Sequence, residues 1–344
     1  MAGLSEKENF MKVINGEVPE WVPRYTMGPD PFAKKPPACT MMMSSLIPFV
    51  PTQNHGFIDM FGVEFVATEE TGWMALPKPN EFILDDIRHW RDVVKLPDLT
   101  DVDWDAQCKK DIEAMPINPD DVAVIYGGVS MMSGYFMPLM NLMGFTNGLI
   151  TMYEEPELVK EFFEYLTEWY CYGIERTIDR YPVDIFTVAD DTATATNPFI
   201  SVEMNRELIK PYVARTAQYA NDRGIPVMMH DCGRCEDFIE DWRDFSVTSW
   251  NPAQIVNDLD GIKAKYGNSL VLIGCWDSSG PAGWPDASEE LVRQAVRDTI
   301  DRYGTGGGFM FWGSVYGPEG DAATDNKRRW MTEEYEAYRE TPYK

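Results

Sequence analysis

Residues 225–235 read IPVMMHDCGRC, an apolar run that ends in a histidine and two cysteines. The run follows Gly224 and is too short for a helix, so we predict a buried strand at residues 225–229. Alternate strand residues face the same side, which places His230 and Cys232 together where the strand becomes a loop. Imidazole and thiolate suit zinc, so we predict a metal site there. Three other interpretations stay open: an ordinary hydrogen-bonded histidine, a redox pair formed by Cys232 and Cys235, and two unrelated thiols.

Strand-like and helix-like segments alternate along the chain. We predict strands at residues 63–68, 122–128, 183–191, 225–229, 246–250, 270–275 and 308–313, and a strand or entry loop at residues 21–25. We predict helices at residues 5–14, 86–99, 155–178, 201–223, 236–242, 255–266, 286–303 and 324–339. Repeated strand–helix units indicate a parallel sheet, and no Gly-x-Gly-x-x-Gly motif follows a first strand. The predicted fold is therefore α/β, a (β/α)8 TIM barrel with an N-terminal extension.

The 344 residues contain no linker, charge block or low-complexity tract, so we expect one domain over residues 1–344. Residues 1–60 would form an N-terminal arm. Its Pro- and Met-rich part, residues 29–51, is interpreted either as an irregular arm packed on the barrel or as a pocket lid.

Charge and cysteine content restrict the partners and the compartment. A net charge of -26 argues against nucleic acid or an anionic membrane as partner. There is no apolar run long enough to span a membrane, and the N-terminus does not read as a signal peptide. Six cysteines in a chain of this length are not a disulfide framework, so we expect a cytoplasmic protein. A homodimer is a further option for its assembly.

Function in a barrel belongs at the carboxyl ends of the strands, where this chain places polar and aromatic residues. Asp190 and Asp191 end one strand as a carboxylate pair that could supply a general acid or a metal ligand, or simply cap a loop or helix. Aromatic candidates for contact with an apolar substrate follow the same rule: Tyr126, Trp250, Trp276 and Trp312.

At these positions the sequence resembles the uroporphyrinogen decarboxylase superfamily, over nearly the whole chain. The residues that carry the resemblance are ENFMKVINGEVPEWVP at 8–23, Asp190-Asp191 followed by NPFIS at 197–201, HDCG at 230–233, IGCWD at 273–277, and GGF at 307–309 followed by Asp325-Asn326. True decarboxylases carry Arg-Gln-Ala-Gly-Arg near the N-terminus, where this chain has RYTMG at residues 24–28. The resemblance therefore favours the other large branch, the corrinoid-dependent methyltransferases.

Several members of that branch bind zinc through a His-x-Cys at a strand end, which His230 and Cys232 match. Their usual third ligand is a cysteine near the last strand, where residues 311–314 read FWGS. The resemblance then implies Cys275 as the best third ligand, with Cys235 or Asp191 as alternatives.

The activity implied by the resemblance is methyl transfer involving a cobalt corrinoid. The chain lacks the Asp-x-His-x-x-Gly motif of corrinoid-binding domains, so a separate corrinoid protein is the implied partner. We expect a methoxylated, aromatic small molecule as the methyl donor, with zinc as Lewis acid and with Asp191, Asp190 and His230 as catalytic residues. The alternatives are a methyltransferase with a zinc-activated thiol as acceptor and a metal-independent decarboxylase-like lyase.

Overall fold

A computed structural model describes residues 4–42, 44–47, 50–53, 55–130, 134–318 and 320–344. The strands are β1 (Cys39–Met42), β2 (Val50–Pro51), β3 (Phe57–Ile58), β4 (Glu64–Ala67), β5 (Ala75–Pro77), β6 (Ala123–Tyr126), β7 (Ile185–Ala189), β8 (Val227–His230), β9 (Val247–Ala253), β10 (Val271–Cys275) and β11 (Phe309–Trp312). The α-helices are α1 (Glu6–Ile14), α2 (Trp90–Val93), α3 (Trp104–Glu113), α4 (Phe136–Met143), α5 (Phe145–Glu154), α6 (Pro156–Thr177), α7 (Val202–Leu208), α8 (Lys210–Asn221), α9 (Ile239–Arg243), α10 (Leu259–Tyr266), α11 (Glu289–Tyr303) and α12 (Ala322–Tyr338).

Seven parallel strands form one sheet in the order β1-β6-β7-β8-β9-β10-β11. Helices connect successive strands from β6 onward, as a parallel sheet requires, so the predicted α/β class and parallel sheet are confirmed. Next to β11, Arg24 forms a single parallel bridge to Phe311. The fold is thus TIM-barrel-like, and the strand predicted at residues 21–25 is reduced to this bridge.

The two faces of the sheet bury separate sets of side chains because alternate residues point to opposite sides. One set includes Ile125, Ile185 and Met228, and it packs against Phe10 and Val13 of α1. The other set lies between the sheet and the surrounding helices. The helix α1 therefore covers the inner face, and the remaining helices cover the outer one.

A second, antiparallel sheet is formed by β2, β3, β4 and β5. It contains the strand predicted at residues 63–68, observed as Glu64–Ala67, which pairs outside the parallel sheet. The rings of Phe57 and Phe65 stack at 4.5 Å on neighbouring strands of this sheet. In the part of the chain that the structure covers, no helix has the length and apolar character needed to cross a membrane.

Candidate metal centre and cavity

Three potential metal donors lie together after the ends of β7 and β8. Asp191, His230 and Cys232 each offer one ligand atom, and these atoms all lie within 4.8 Å of one another. The Nε2 atom of His230 is 3.8 Å from the Cys232 sulfur and 3.7 Å from a carboxylate oxygen of Asp191. Donors around a tetrahedral zinc ion at ordinary bond lengths are about 3.4–3.6 Å apart. The two distances from His230 therefore suit zinc ligation after a small contraction.

The backbone of the loop after β8 fixes Cys232 beside the loop after β7. The Cys232 N–H donates to the Asp191 carboxylate at 3.0 Å. Gly233 follows with φ +93°, and a Cβ atom there would lie 2.3 Å from the Ala193 carbonyl oxygen. Only glycine fits this close approach. The HDCG run thus brings two loops into contact as well as supplying two donors.

Asp231, between the two donors in sequence, is not part of the cluster and joins the same loops. Its carboxylate accepts hydrogen bonds from the Thr192 N–H at 2.8 Å and from the Thr192 hydroxyl at 2.7 Å. Burial raises the pKa of Asp231 well above its ordinary value, although these two hydrogen bonds oppose that shift. Asp231 is therefore a structural link between the loops that carry Asp191 and Cys232.

Asn251, on the neighbouring strand β9, orients the histidine. Its Oδ1 atom lies 2.6 Å from the Nδ1 atom of His230, and the Asn251 side chain is fully buried. With Oδ1 as acceptor, Nδ1 carries the proton and the Nε2 lone pair faces Cys232 and Asp191. Such outer partners of metal-bound histidines fix both tautomer and ring orientation. The sequence places Asn251 at the end of a predicted strand but does not reveal this role.

Cys275 does not join the cluster. Its backbone has φ +56°, and its buried thiol packs in the layer between sheet and helices. Burial raises the pKa of this thiol, and the positive charges of Lys263 on α10 and Arg302 on α11 oppose that shift. Cys235 is also buried, and its sulfur contacts the Asp231 carbonyl oxygen at 3.4 Å. The candidate donor that lies with His230 and Cys232 is therefore Asp191, which the sequence had left as an alternative, and not the predicted Cys275.

Asp190 is a helix cap. One carboxylate oxygen accepts from the N–H groups of Tyr135 and Phe136, and the other accepts from those of Met137 and Asp191. Burial raises the pKa of Asp190 to about 6, against the effect of the backbone hydrogen bonds. Because both oxygens are engaged by backbone, the geometry does not support Asp190 as a proton donor to substrate. It fixes the start of α4 next to the cluster, and Asp191 remains the candidate for chemistry.

A cavity of about 310 Å³ opens beside the cluster, with Asp191 and His230 among its lining residues. Its walls come from the antiparallel sheet, from one face of α4 and from the ends of the parallel strands. Most of the lining is apolar, and none of its described residues is lysine or arginine. The side chains that the antiparallel sheet and its loops contribute are Phe57, Asp59, Met60, Phe61, Phe65, Met74, Ala75, Leu76 and Pro77.

Two of the aromatic residues predicted to bind substrate belong to the core instead. Tyr126 is fully buried, and its hydroxyl is hydrogen-bonded to the Thr177 hydroxyl of α6. Trp250 is also fully buried, and its indole N–H donates to the Asp231 carbonyl oxygen at 3.0 Å. Both side chains face the helix layer because they alternate with inward-facing neighbours.

The other two predicted aromatic residues are also not among the described lining residues of the cavity. Trp276 is 6% exposed and donates to the Ser314 carbonyl oxygen at 3.1 Å. Trp312 is half-buried and packs edge-on against Tyr25 at 5.0 Å. The rings that do line the cavity come mainly from the antiparallel sheet, which sequence analysis did not recognise as a sheet.

Comparison with known proteins shows the family to which this chain belongs. No curated protein matches the chain. A solved structure described as a methyltransferase from Methanosarcina mazei has a similar fold, with a TM-score of 0.62 and 14% sequence identity over 98% of this chain and 100% of that chain. The family model for uroporphyrinogen decarboxylase (URO-D) matches residues 83–312. The chain therefore belongs to the uroporphyrinogen decarboxylase family.

Proposed function

We propose that this protein is a methyltransferase that takes a methyl group from a small, largely apolar methyl ether and passes it to the cobalt of a corrinoid carried by a separate protein. The observation that carries the proposal is the Asp191, His230 and Cys232 cluster at the edge of an apolar cavity. The fold it shares with a methyltransferase adds support.

The donor set fits a catalytic zinc ion better than a structural one. Structural sites use four protein ligands, usually cysteines and histidines, whereas catalytic sites use three and keep one position open. Among the described residues the cluster supplies one nitrogen, one sulfur and one oxygen donor. A zinc ion held there would act as a Lewis acid toward the ether oxygen of the substrate.

The protein's own residues would prepare this site in three ways. Asn251 holds the His230 ring so that Nε2 faces the other donors. The Cys232 N–H, by donating to Asp191, holds that carboxylate close to the sulfur. The antiparallel sheet covers one wall of the cavity with Phe57, Phe61 and other apolar groups, and so excludes water from the reacting ether.

The proposed reaction balances without a further reagent. The carbon–oxygen bond of the ether breaks, and its electron pair stays on oxygen, which takes up a proton to become a hydroxyl. The methyl carbon forms a bond with cobalt using the electron pair of the doubly reduced corrinoid, whose cobalt is formally oxidised by two electrons. The partner protein thus supplies the nucleophile, and this chain supplies the binding site and the polarising group.

The composition of the cavity argues against a decarboxylase-like lyase. An enzyme that binds substrate carboxylates needs cationic side chains in its pocket. The described lining residues include Asp59, Asp190 and Asp191 but neither arginine nor lysine. An uncharged methoxylated ring suits the apolar lining better than a polycarboxylate does.

Two further parts of the proposal concern the setting. The Tyr25 N–H donates to the Phe311 carbonyl oxygen, and the Phe311 N–H donates to the Pro23 carbonyl oxygen. We therefore take residues 23–25 as the eighth strand of a (β/α)8 barrel, and the residues before them as the N-terminal extension of that barrel. We also place the protein in the cytoplasm, because all six cysteines are free thiols and a reducing compartment keeps them so.

The test is methyl transfer to cob(I)alamin, used as a probe for the protein-bound corrinoid. Zinc-loaded protein, methoxybenzene or methoxyphenols, and cob(I)alamin should give a methylcobalt absorption band together with the demethylated product. His230→Ala should abolish the reaction, whereas Cys275→Ser should retain it. No methylcobalt from any of these ethers, or equal rates with wild type and His230→Ala, would refute the proposal.

A further inference from the structure

The cavity wall contains a buried side-chain amide oxygen, that of Asn141, to which none of the described residues donates a hydrogen bond. Asn141 lies on α4 and lines the cavity, yet its side chain is only 9% exposed. Its Oδ1 atom is buried, and among the described residues none donates a hydrogen bond to it. A buried acceptor without a donor is costly, so such groups in native proteins are usually satisfied by water or ligand.

The position of Asn141 is fixed relative to the metal cluster. Met137, Pro138 and Asn141 all line the cavity and share one face of α4, at i, i+1 and i+4. The first turn of this helix is anchored by Asp190, which is covalently joined to Asp191 of the cluster. From Phe136 to Asn141 the helix rises by about 7.5 Å. Asn141 therefore lies about one and a half turns beyond the anchored end of α4, on the same cavity as Asp191 and His230.

The antiparallel sheet contributes a second acceptor on the cavity wall. Asp59 lines the same cavity, and its Oδ1 atom accepts from the N–H groups of Phe61 and Val63, each at 2.9 Å. Asn141 and Asp59 are both surrounded by apolar lining. Their oxygens complement a ligand group that donates hydrogen bonds, and they would repel another acceptor such as a carboxylate.

We propose that Asn141 is the specificity-determining residue of the cavity, and that it accepts a hydrogen bond from a hydroxyl or ammonium group carried by the methyl donor. The substrate class is then a methoxylated ring with a second, hydrogen-bond-donating substituent. The identity of the ring as methyl donor rests on the proposed function. The preference for a donating group does not, because it concerns binding alone.

The test compares matched ligands by isothermal titration on zinc-loaded protein. Methoxybenzene has no donating group, the three methoxyphenols add a hydroxyl, and methoxybenzylammonium adds a charged donor. We expect at least one methoxyphenol or the ammonium ligand to bind about 10- to 100-fold more tightly than methoxybenzene, as for a buried polar group that gains its partner. If a methoxyphenol binds more tightly than methoxybenzylammonium, the donating group is a hydroxyl; the reverse order indicates an ammonium group.

Variants separate an acceptor role from a structural one. Asn141→Leu should abolish the preference, whereas Asn141→Asp keeps an acceptor oxygen, loses the amide donor, and should retain the preference. Asn221→Leu, at the end of α8, makes the same substitution at an asparagine that instead donates to the Phe245 carbonyl. It should leave the preference unchanged.

Two results would overturn the inference: donating ligands bound no more tightly than methoxybenzene by wild type, or a preference kept in Asn141→Leu or lost in Asn141→Asp. Methyl transfer to cob(I)alamin, measured in parallel, separates the two proposals. A preference without methyl transfer would refute only the proposed function. Methyl transfer without a preference would refute only the role of Asn141.

Discussion

The hydrogen bond from His230 to Asn251 should control metal affinity, and Asn251→Ala tests it. The two atoms are 2.6 Å apart, and Asn251 is fully buried, so water cannot easily replace the lost acceptor. Without that acceptor the imidazole can rotate or place its proton on Nε2, the atom that faces Cys232. Loss of such an outer partner typically weakens metal binding about 10- to 100-fold, or about 1.4–2.8 kcal/mol. Full burial places the expected value in the upper half of that range.

The assay is zinc competition against a chelating dye, with the free energy of unfolding of the metal-free protein measured alongside. The Nδ2 atom of Asn251 has no partner among the described residues, so the stability cost of the substitution should be only about 1 kcal/mol. Ser249→Ala is the control, because Ser249 lies two residues earlier on β9 and its buried hydroxyl likewise has no described partner. Wild-type zinc affinity in Asn251→Ala would refute the positioning role.

Three further substitutions test the structure around the site. Gly233→Ala should lower stability by about 1–3 kcal/mol and weaken zinc binding, because φ is +93° and the new Cβ meets Ala193; unchanged melting and affinity would contradict this. Burial raises the pKa of the Asp111 carboxyl on α3, but hydrogen bonds from the Ser45 and Tyr181 hydroxyls outweigh burial and hold the pKa below its usual range, so Asp111→Asn should cost about 1.5–3 kcal/mol at pH 7. The difference in unfolding free energy between wild type and Asp111→Asn should shrink as the pH falls below about 4. A difference that stays constant with pH in denaturant titrations would contradict this prediction. Tyr126→Phe removes the hydrogen bond to Thr177 and should lower the free energy of unfolding by about 1 kcal/mol without changing ligand affinity. Weaker ligand binding would instead indicate that Tyr126 contacts the ligand.

Sequence alone predicted six of the seven parallel strands, because buried strands read as short apolar runs bounded by turn residues. The seventh, β1, lies in the Pro- and Met-rich stretch at residues 29–51, which the sequence analysis interpreted as an irregular arm or a lid. The segments around β6, β7, β8, β10 and β11 were all recognised in this way. The helix predicted at residues 201–223 is interrupted at Ile209 because Pro211 lacks an N–H group, which the pattern of apolar residues does not reveal. In the antiparallel sheet only β4 was predicted, because β2, β3 and β5 have just two or three residues, too few for a recognisable period.

The site was predicted in part. Strand alternation predicts that the side chains of His230 and Cys232 face the same side, and the cluster contains both residues. Cys275 was misplaced because alternation fails at the end of β10. Gly274 has φ +122° and Cys275 has φ +56°, which turns the thiol toward the helix layer. Asn251 reaches His230 only through the pairing of β8 with β9, and pairing between strands is a tertiary property.

The central claim is that Asp191, His230 and Cys232 form the metal centre, and zinc content per chain tests it most directly. Elemental analysis should find one zinc per chain in wild type and in Cys275→Ser, and a large loss in Asp191→Ala and Cys232→Ser. Zinc retained in Asp191→Ala, or lost in Cys275→Ser, would contradict the ligand assignment. No zinc in wild type after loading would contradict the metal centre itself.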